Sequence, residues 1–199
     1  MAKLQITLDD GPEPVAPALD GILAELKTRG VTGAFFNLGQ EVKSSPAATK
    51  QILAQGHALG NHSWDHLEPN TSDYDNAQIL KQFKDTHAEV LSATQHSMKY
   101  WRAPRLQQTS RQQGLLTGGQ DSLYQLSHCD IYADSKDSQG ANNAAAMLVA
   151  IRSDIANAPT RTNFRLLFHV KPETATALKT VFDGLVLDGH VLVNFQQAT

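Results

Sequence analysis

A single cysteine, Cys129, stands among the 199 residues, so no internal disulfide is available and stability must come from packing. Long apolar runs are missing too. Stretches such as Ala144–Ile151 fall well short of the roughly 20 residues a spanning helix needs, and no membrane insertion is expected. No charge of one sign dominates: the net charge of −3, the pI of about 6.2 and the lack of a basic run exclude a nucleic-acid backbone as partner. No glycine-rich phosphate fingerprint of the GxGxxG or P-loop kind occurs, which argues against nucleotide binding. Met1-Ala2-Lys3-Leu4 runs into a strand-like segment with no apolar h-region before it, so no secretion signal is expected in the chain as it stands. Low-complexity segments, internal repeats and linkers are absent as well. What is present is ordinary for a folded protein: 41% apolar and 19% charged residues, which excludes intrinsic disorder. A chain this long buries on the order of 70% of its unfolded surface, enough for one domain over residues 1–199 and too little for two. A monomer is expected.

Short β-like runs alternate with helical periodicity from end to end. Leu4–Thr7 reads as a first strand, stopped by Gly11-Pro12; Val31–Asn37, Ala58–Gly60, Lys99–Arg102, Ser122–Leu126, Arg165–Phe168 and His190–Asn194 read as the others. Between them, Val15, Leu19, Ile22, Leu23 and Leu26 recur at helical spacing up to a C-terminal cap at Gly30. Ser45-Pro46 opens a helix ending at Gly56, and Ser72–Ala93 is the longest helix. Further helices are predicted around Ser110–Thr117, Ala141–Ala156 and Glu173–Leu187. Such alternation in a small domain implies an α/β fold with a parallel sheet covered by helices. An open doubly wound sheet and a closed barrel both satisfy it.

In α/β folds the chemistry collects just beyond strand C-termini. Reactive residue types stand at those points here: Asp9 and Asp10 after the first strand, His62 and His66 after the third, and Arg102 after the fourth. An acidic cluster follows the fifth, and His169 ends the sixth. Neighbours in an extended chain point to opposite sides, so Asp9 and Asp10 are expected to do different jobs. One can ligate a metal while the other faces the solvent that the metal activates; a turn with helix-capping acids explains the pair equally well.

His62-Ser63-Trp64-Asp65-His66 sets two imidazoles four residues apart. On a helical turn both would point the same way, and a loop could also bring them together. With Asp10 they make two histidines and one aspartate, the three-ligand arrangement with open positions that suits catalysis. Asp65 reads as a surface group. Arg102, before Pro104, is suited to hold a carboxylate ionised and oriented. His169 ends a buried strand, as a general acid near neutral pH would or as a hydrogen-bonded core histidine would. Asp134-Ser135-Lys136-Asp137 offers it a carboxylate, and the sequence does not decide between Asp134 and Asp137. No chemistry is assigned to His57, His87, His96 or His190, and His128 beside Cys129 has no second such pair to support a metal site.

Together these segments resemble the polysaccharide deacetylase family (NodB-homology domain, carbohydrate esterase family 4), whose five motifs run here in order over nearly the whole chain. Thr7–Pro12 differs from the usual form only in Leu8 replacing an aromatic, and His62–His66 matches fully. The third motif keeps Arg102 and Pro104, with Arg105 and Leu106 in place of an aromatic and a glycine. The fourth keeps Asp134–Asp137 with Ser138 in place of a tryptophan; the fifth keeps Leu167 and His169 with Val170 in place of an aspartate.

The resemblance implies a distorted (β/α) barrel of seven or eight parallel strands with its site at the C-terminal face. It implies Asp10, His62 and His66 as ligands of a divalent ion, Zn²⁺ before Co²⁺ or a similar one. Asp9 is then the base, held by Arg102, and His169 the acid, oriented by Asp137. Pro104, Arg105 and Leu167 are implied at the substrate groove. The reaction would be hydrolysis of an acetyl group, the metal and the Arg105 backbone N–H stabilising the oxyanion and His169 protonating the leaving amine or alcohol. Positive charge nearby should keep Asp9 ionised at neutral pH.

Glycans containing N-acetylglucosamine, of chitin or peptidoglycan type, are the expected substrate, with acetylated xylan second. A catalytically silent glycan-binding relative is the rival class. Ser138 removes an apolar wall from the groove, Arg105 adds a charge suited to an acidic or otherwise modified glycan, and short connections imply an open, shallow groove. Family members commonly act outside the cytoplasm, and localisation is left open.

Overall fold

The computed structural model describes residues 1–12, 18–67, 74–117 and 129–195. Among these residues seven parallel strands form one sheet: β1 (Lys3–Gly11), β2 (Ala34–Asn37), β3 (Ala58–Asn61), β4 (Tyr100–Trp101), β5 (Ala133–Asp134), β6 (Asn163–His169) and β7 (Val191–Leu192). The path runs β4-β3-β2-β1-β6-β5, with β7 paired to the first residues of β1. Among the described residues the ladder is an open path, but the architecture is the α/β arrangement that the alternation implies.

Helices occupy Ala18–Arg29 (α1), Gly39–Ser44 (α2), Pro46–Ala54 (α3), Asn76–Thr94 (α4), Ser110–Thr117 (α5), Ala144–Ala156 (α6) and Pro172–Leu187 (α7). α1 buries Leu19, Ile22, Leu23 and Leu26 along one stripe, and Gly30 follows it with φ +67°, a left-handed conformation that glycine adopts without strain. Asp75 and Gln78 form a reciprocal capping box at the start of α4. Val15, Ser72 and the strand expected at Ser122–Leu126 lie outside the described residues. Among the described residues the fifth strand in chain order is β5, a two-residue element paired with β6. Among the described residues no helix is long and apolar enough to cross a membrane.

Period-two alternation decides which side of the sheet each residue serves. Leu4, Ile6 and Leu8 of β1 join one apolar cluster with Ile22 and Leu26 of α1 and Leu178 and Val181 of α7. Each such side chain, fully removed from water, stabilises the fold by about 1.5–3 kcal/mol. Leu8, the departure from the family's aromatic, is therefore a helix-facing core residue. Thr7 and Asp9 face the other way, where Ala34, Phe36, Tyr100 and Cys129 form a second, smaller cluster.

Gly60 of β3 pairs with Phe36 of β2, and the Phe36 ring lies across it. A Cβ at Gly60 would sit 2.4 Å from two atoms of that ring. Gly60→Ala is therefore expected to lower stability by about 1–3 kcal/mol, read as a fall in the urea midpoint. An unchanged midpoint would show that Phe36 is free to move.

Candidate active site

β1 ends in an irregularity. Its register with β2 shifts between Asp9 and Gly11, and Asp10 takes φ 64°. Such a bulge re-aims a side chain that alternation would send to the opposite face. Both carboxylates consequently reach the same place: His62 Nε2 lies 3.7 Å from Asp9 Oδ2 and 3.4 Å from Asp10 Oδ1. The expectation that the two acids point apart is corrected by this bulge.

His62 and His66 sit on a loop after β3, not on a helical turn. Asn61 accepts the Ser63 N–H at 2.9 Å, Ser63 Oγ accepts the Leu67 N–H at 3.0 Å, and Gln82 accepts the N–H groups of Trp64 and Asp65. Ser63 and His66 both have left-handed backbones, with φ 71° and 65°. Non-glycine residues held in that region, as Asp10 also is, cluster where a site is over-determined by its surroundings. The two imidazole rings approach to 5.2 Å between centroids. Asp65 is exposed and is not one of the three residues whose ligand atoms converge.

The ligand atoms of Asp10, His62 and His66 all lie within 4.8 Å of one another. Among the described residues Asp10 Oδ1 is buried without a hydrogen-bond donor, and it stands 3.4 Å from His62 Nε2 and 3.6 Å from His66 Nε2. Two bonds of about 2.1 Å meeting at a tetrahedral angle separate their ends by about 3.4 Å, so the trio fits a small divalent cation. His62 is prepared for such a role in two ways. Burial pushes its pKa down to about 3, so the ring is neutral at neutral pH. Its Nδ1 lies 3.0 Å from the Arg102 carbonyl, an acceptor, which places the proton on Nδ1 and leaves the Nε2 lone pair facing Asp10.

Arg102 is fully buried beneath Asp9. Its Nη1 donates to Asp9 Oδ1 at 2.6 Å and to Thr7 Oγ1 at 3.0 Å, and Nε donates to the Cys129 carbonyl at 3.0 Å. Nη2 points at Cys129 Sγ at 3.6 Å, and the guanidinium stacks over the Phe36 ring at 4.1 Å. Thr7 hands its own proton to the Leu166 carbonyl, so its oxygen is left as an acceptor for Arg102. The cation is thus held in one orientation against one carboxylate. Burial pushes the Asp9 carboxyl above its ordinary range, and the guanidinium opposes that rise. Positive charge does favour the carboxylate, but desolvation is the larger influence here.

His169 Nδ1 lies 2.6 Å from Asp137 Oδ1, and Asp137 Oδ2 accepts the His169 backbone N–H at 2.7 Å and the Thr174 hydroxyl at 2.6 Å. Asp137 is therefore the carboxylate at His169. Asp134 is engaged with Lys136, at 2.8 Å from its backbone N–H and 2.9 Å from Nζ. Burial works against the charged form of both His169 and Asp137. Their mutual hydrogen bond and opposite charges outweigh it, raising the imidazole and holding the carboxyl below its usual range. His169 Nε2 faces the carboxylates, 4.0 Å from Asp10 Oδ2.

These groups open on one cleft of about 390 Å³, lined by Asp9, Asp10, His62, His66, Leu167 and His169 together with Arg105, Leu106, Asp134 and Ser138. Pro104, expected at the groove, is buried in the 3-10 turn Pro104–Leu106 and does not line the cleft. Arg102 and Asp137 act from behind it. Sequence reasoning passed over Thr7, Phe36, Cys129 and Thr174. Only Thr7 carried a usable signal, being two residues before Asp9 and so on the same strand face. His128 lies outside the described residues.

The polysaccharide deacetylase family model matches residues 2–116. A peptidoglycan-N-acetylglucosamine deacetylase of Listeria monocytogenes is 32% identical over 102 residues, 51% of this chain and 21% of that protein. A chitooligosaccharide deacetylase of Azorhizobium caulinodans is 41% identical over 73 residues, 36% of this chain and 32% of that protein. The matches thus span about a fifth to a third of these relatives. Among solved structures, a mutant of a CE4 family pseudoenzyme from Bacillus anthracis, with restored enzymatic activity, superposes with a TM-score of 0.81 at 23% identity. That likeness covers 97% of this chain and 65% of the other, and at such identity it is one of fold.

Proposed function

Because the chain belongs to the polysaccharide deacetylase family, we propose that its cleft hydrolyses acetyl groups of glycans, N-acetyl groups of N-acetylglucosamine units before any other. The observation that carries this reading is the convergence, on one cleft, of a three-residue cation cradle, a carboxylate clamped by a buried arginine, and an imidazole backed by its own carboxylate. The cleft volume, about 390 Å³, falls in the range of small-ligand sites and suits a sugar unit with its acetamido group.

Held by Asp10, His62 and His66, a divalent ion (Zn²⁺ first, then Co²⁺ or a similar ion) would supply Lewis-acid polarisation of the acetyl carbonyl and a more acidic water. Asp9 is the base: it takes a proton from the attacking water as the water oxygen bonds to the carbonyl carbon. Arg102 keeps Asp9 in place while that proton arrives. The Arg105 backbone N–H, on a residue with φ 55°, is assigned to the oxyanion. His169 then gives its Nε2 proton to the departing nitrogen as the C–N bond breaks, so acetate and a free amine leave. Asp137 holds the imidazole by Nδ1 throughout.

A silent relative would lack a ligand, the base or the acid, whereas this chain retains residue types able to fill each role: Asp10, His62 and His66 for the ion, Asp9 for the base and His169 for the acid. Acetate and free amine should be measured together on chitin oligomers, peptidoglycan glycan strands and acetylated xylan. Equal yields of acetate and amine from either N-acetylated substrate support the reading. Release from acetylated xylan alone would move the activity to esters, and no release from any of the three would overturn it.

A further inference from the structure

Thr174 lies in the first turn of α7, five residues after His169, and its side chain does not serve its own helix. Thr28, Thr86, Thr94, Thr117 and Thr176 each donate to the carbonyl four residues back. Thr174, fully buried, instead crosses to a segment 37 positions earlier and donates to Asp137 Oδ2 at 2.6 Å. That oxygen also takes the His169 backbone N–H at 2.7 Å, so two donors fix the plane of the carboxylate. Its other oxygen is then aimed at His169 Nδ1, 2.6 Å away.

We propose that Thr174 is a positioning residue for the leaving-group acid: it locks Asp137, and through Asp137 the tilt of the His169 ring, so that Nε2 faces the departing atom. This rests on the deacetylase reading above and assigns a role to a residue outside its catalytic set. With the hydroxyl gone, Oδ2 keeps only the His169 backbone N–H, and the carboxylate plane can tilt about its Cβ–Cγ bond and carry the ring held on Oδ1 with it. The acid proton is then misdirected, and a misplacement of that kind costs up to about a hundredfold in rate. The cost falls only where the leaving group needs a proton. An amine does; the p-nitrophenolate of p-nitrophenyl acetate leaves as a stable anion and does not.

Thr174→Val keeps the shape and removes the hydroxyl, and Thr174→Ser keeps the hydroxyl. On chitin oligomers Thr174→Val should lose kcat by roughly one to two orders of magnitude with KM unchanged and with the protein still folded at the assay temperature, its melting temperature lowered by the loss of a buried hydrogen bond. On p-nitrophenyl acetate it should stay within about twofold of wild type, and Thr174→Ser should match wild type on both. Equal loss on the two substrates, no loss on either, or a serine variant that fails to restore the rate would overturn the proposal. A wild-type chain without amide activity would count against the deacetylase reading itself. In that event the His169 Nδ1 proton still decides the matter: its downfield ¹H resonance should shift or broaden in Thr174→Val and return in Thr174→Ser. An unmoved resonance refutes the role.

Discussion

Asp9→Asn is expected to lower acetate release from chitin oligomers by about three orders of magnitude or more, with metal content unchanged. The substitution preserves size and lets the side-chain oxygen still accept from Arg102 Nη1, now 2.6 Å from Asp9 Oδ1. What it removes is the negative charge and the capacity to take a proton from water. Asp10, His62 and His66, the cradle, are untouched by it. The buried Arg102 loses its counter-ion, so some stability is lost as well, and a circular dichroism melt separates unfolding from inactivation. Turnover within tenfold of wild type in a folded variant would remove Asp9 from the role of base.

His66→Ala should abolish metal retention. After dialysis against metal-free buffer the variant should hold less than about a tenth of the wild-type content, because a two-ligand remnant binds several orders of magnitude more weakly. His66 is well chosen for this test, since its side chain is 29% exposed, against 1% for His62, so little packing is disturbed. A linked effect follows from mass action. Wild-type protein should melt at a lower temperature after chelation, whereas the variant's melting temperature should be indifferent to chelator. Unchanged metal content would take His66 out of the ligand set.

The parts of this molecule that could be read from its residues are those whose signal is local. The 3.6-residue stripe of Leu19, Ile22, Leu23 and Leu26 appears as α1, and the glycine at position 30 ends it. The residues with chemistry stood out because carboxylates and imidazoles recur at one strand end after another, although each alone has an ordinary explanation as a capping acid or a core histidine. Other features have no local code. β5 is two residues long, and Ala133-Asp134 is a strand only because Leu166 and Leu167 of β6 lie beside it. α2, six residues between β2 and α3, was too short to register as a period. The joint orientation of Asp9 and Asp10 depends on a bulge that alternation does not foretell. Cys129 meets Arg102 across 27 positions of chain and Thr174 meets Asp137 across 37, and a thiol or a hydroxyl alone does not announce a buried arginine or carboxylate as its partner.

The most direct measurement is acetate release from chitin oligomers by one preparation assayed three times: as purified, after chelation and dialysis, and after one equivalent of Zn²⁺ or Co²⁺ is returned. The account predicts activity, then its loss, then its recovery in proportion to metal bound. Equal release in all three states would contradict it, because the cradle of Asp10, His62 and His66 would then have no part in the reaction.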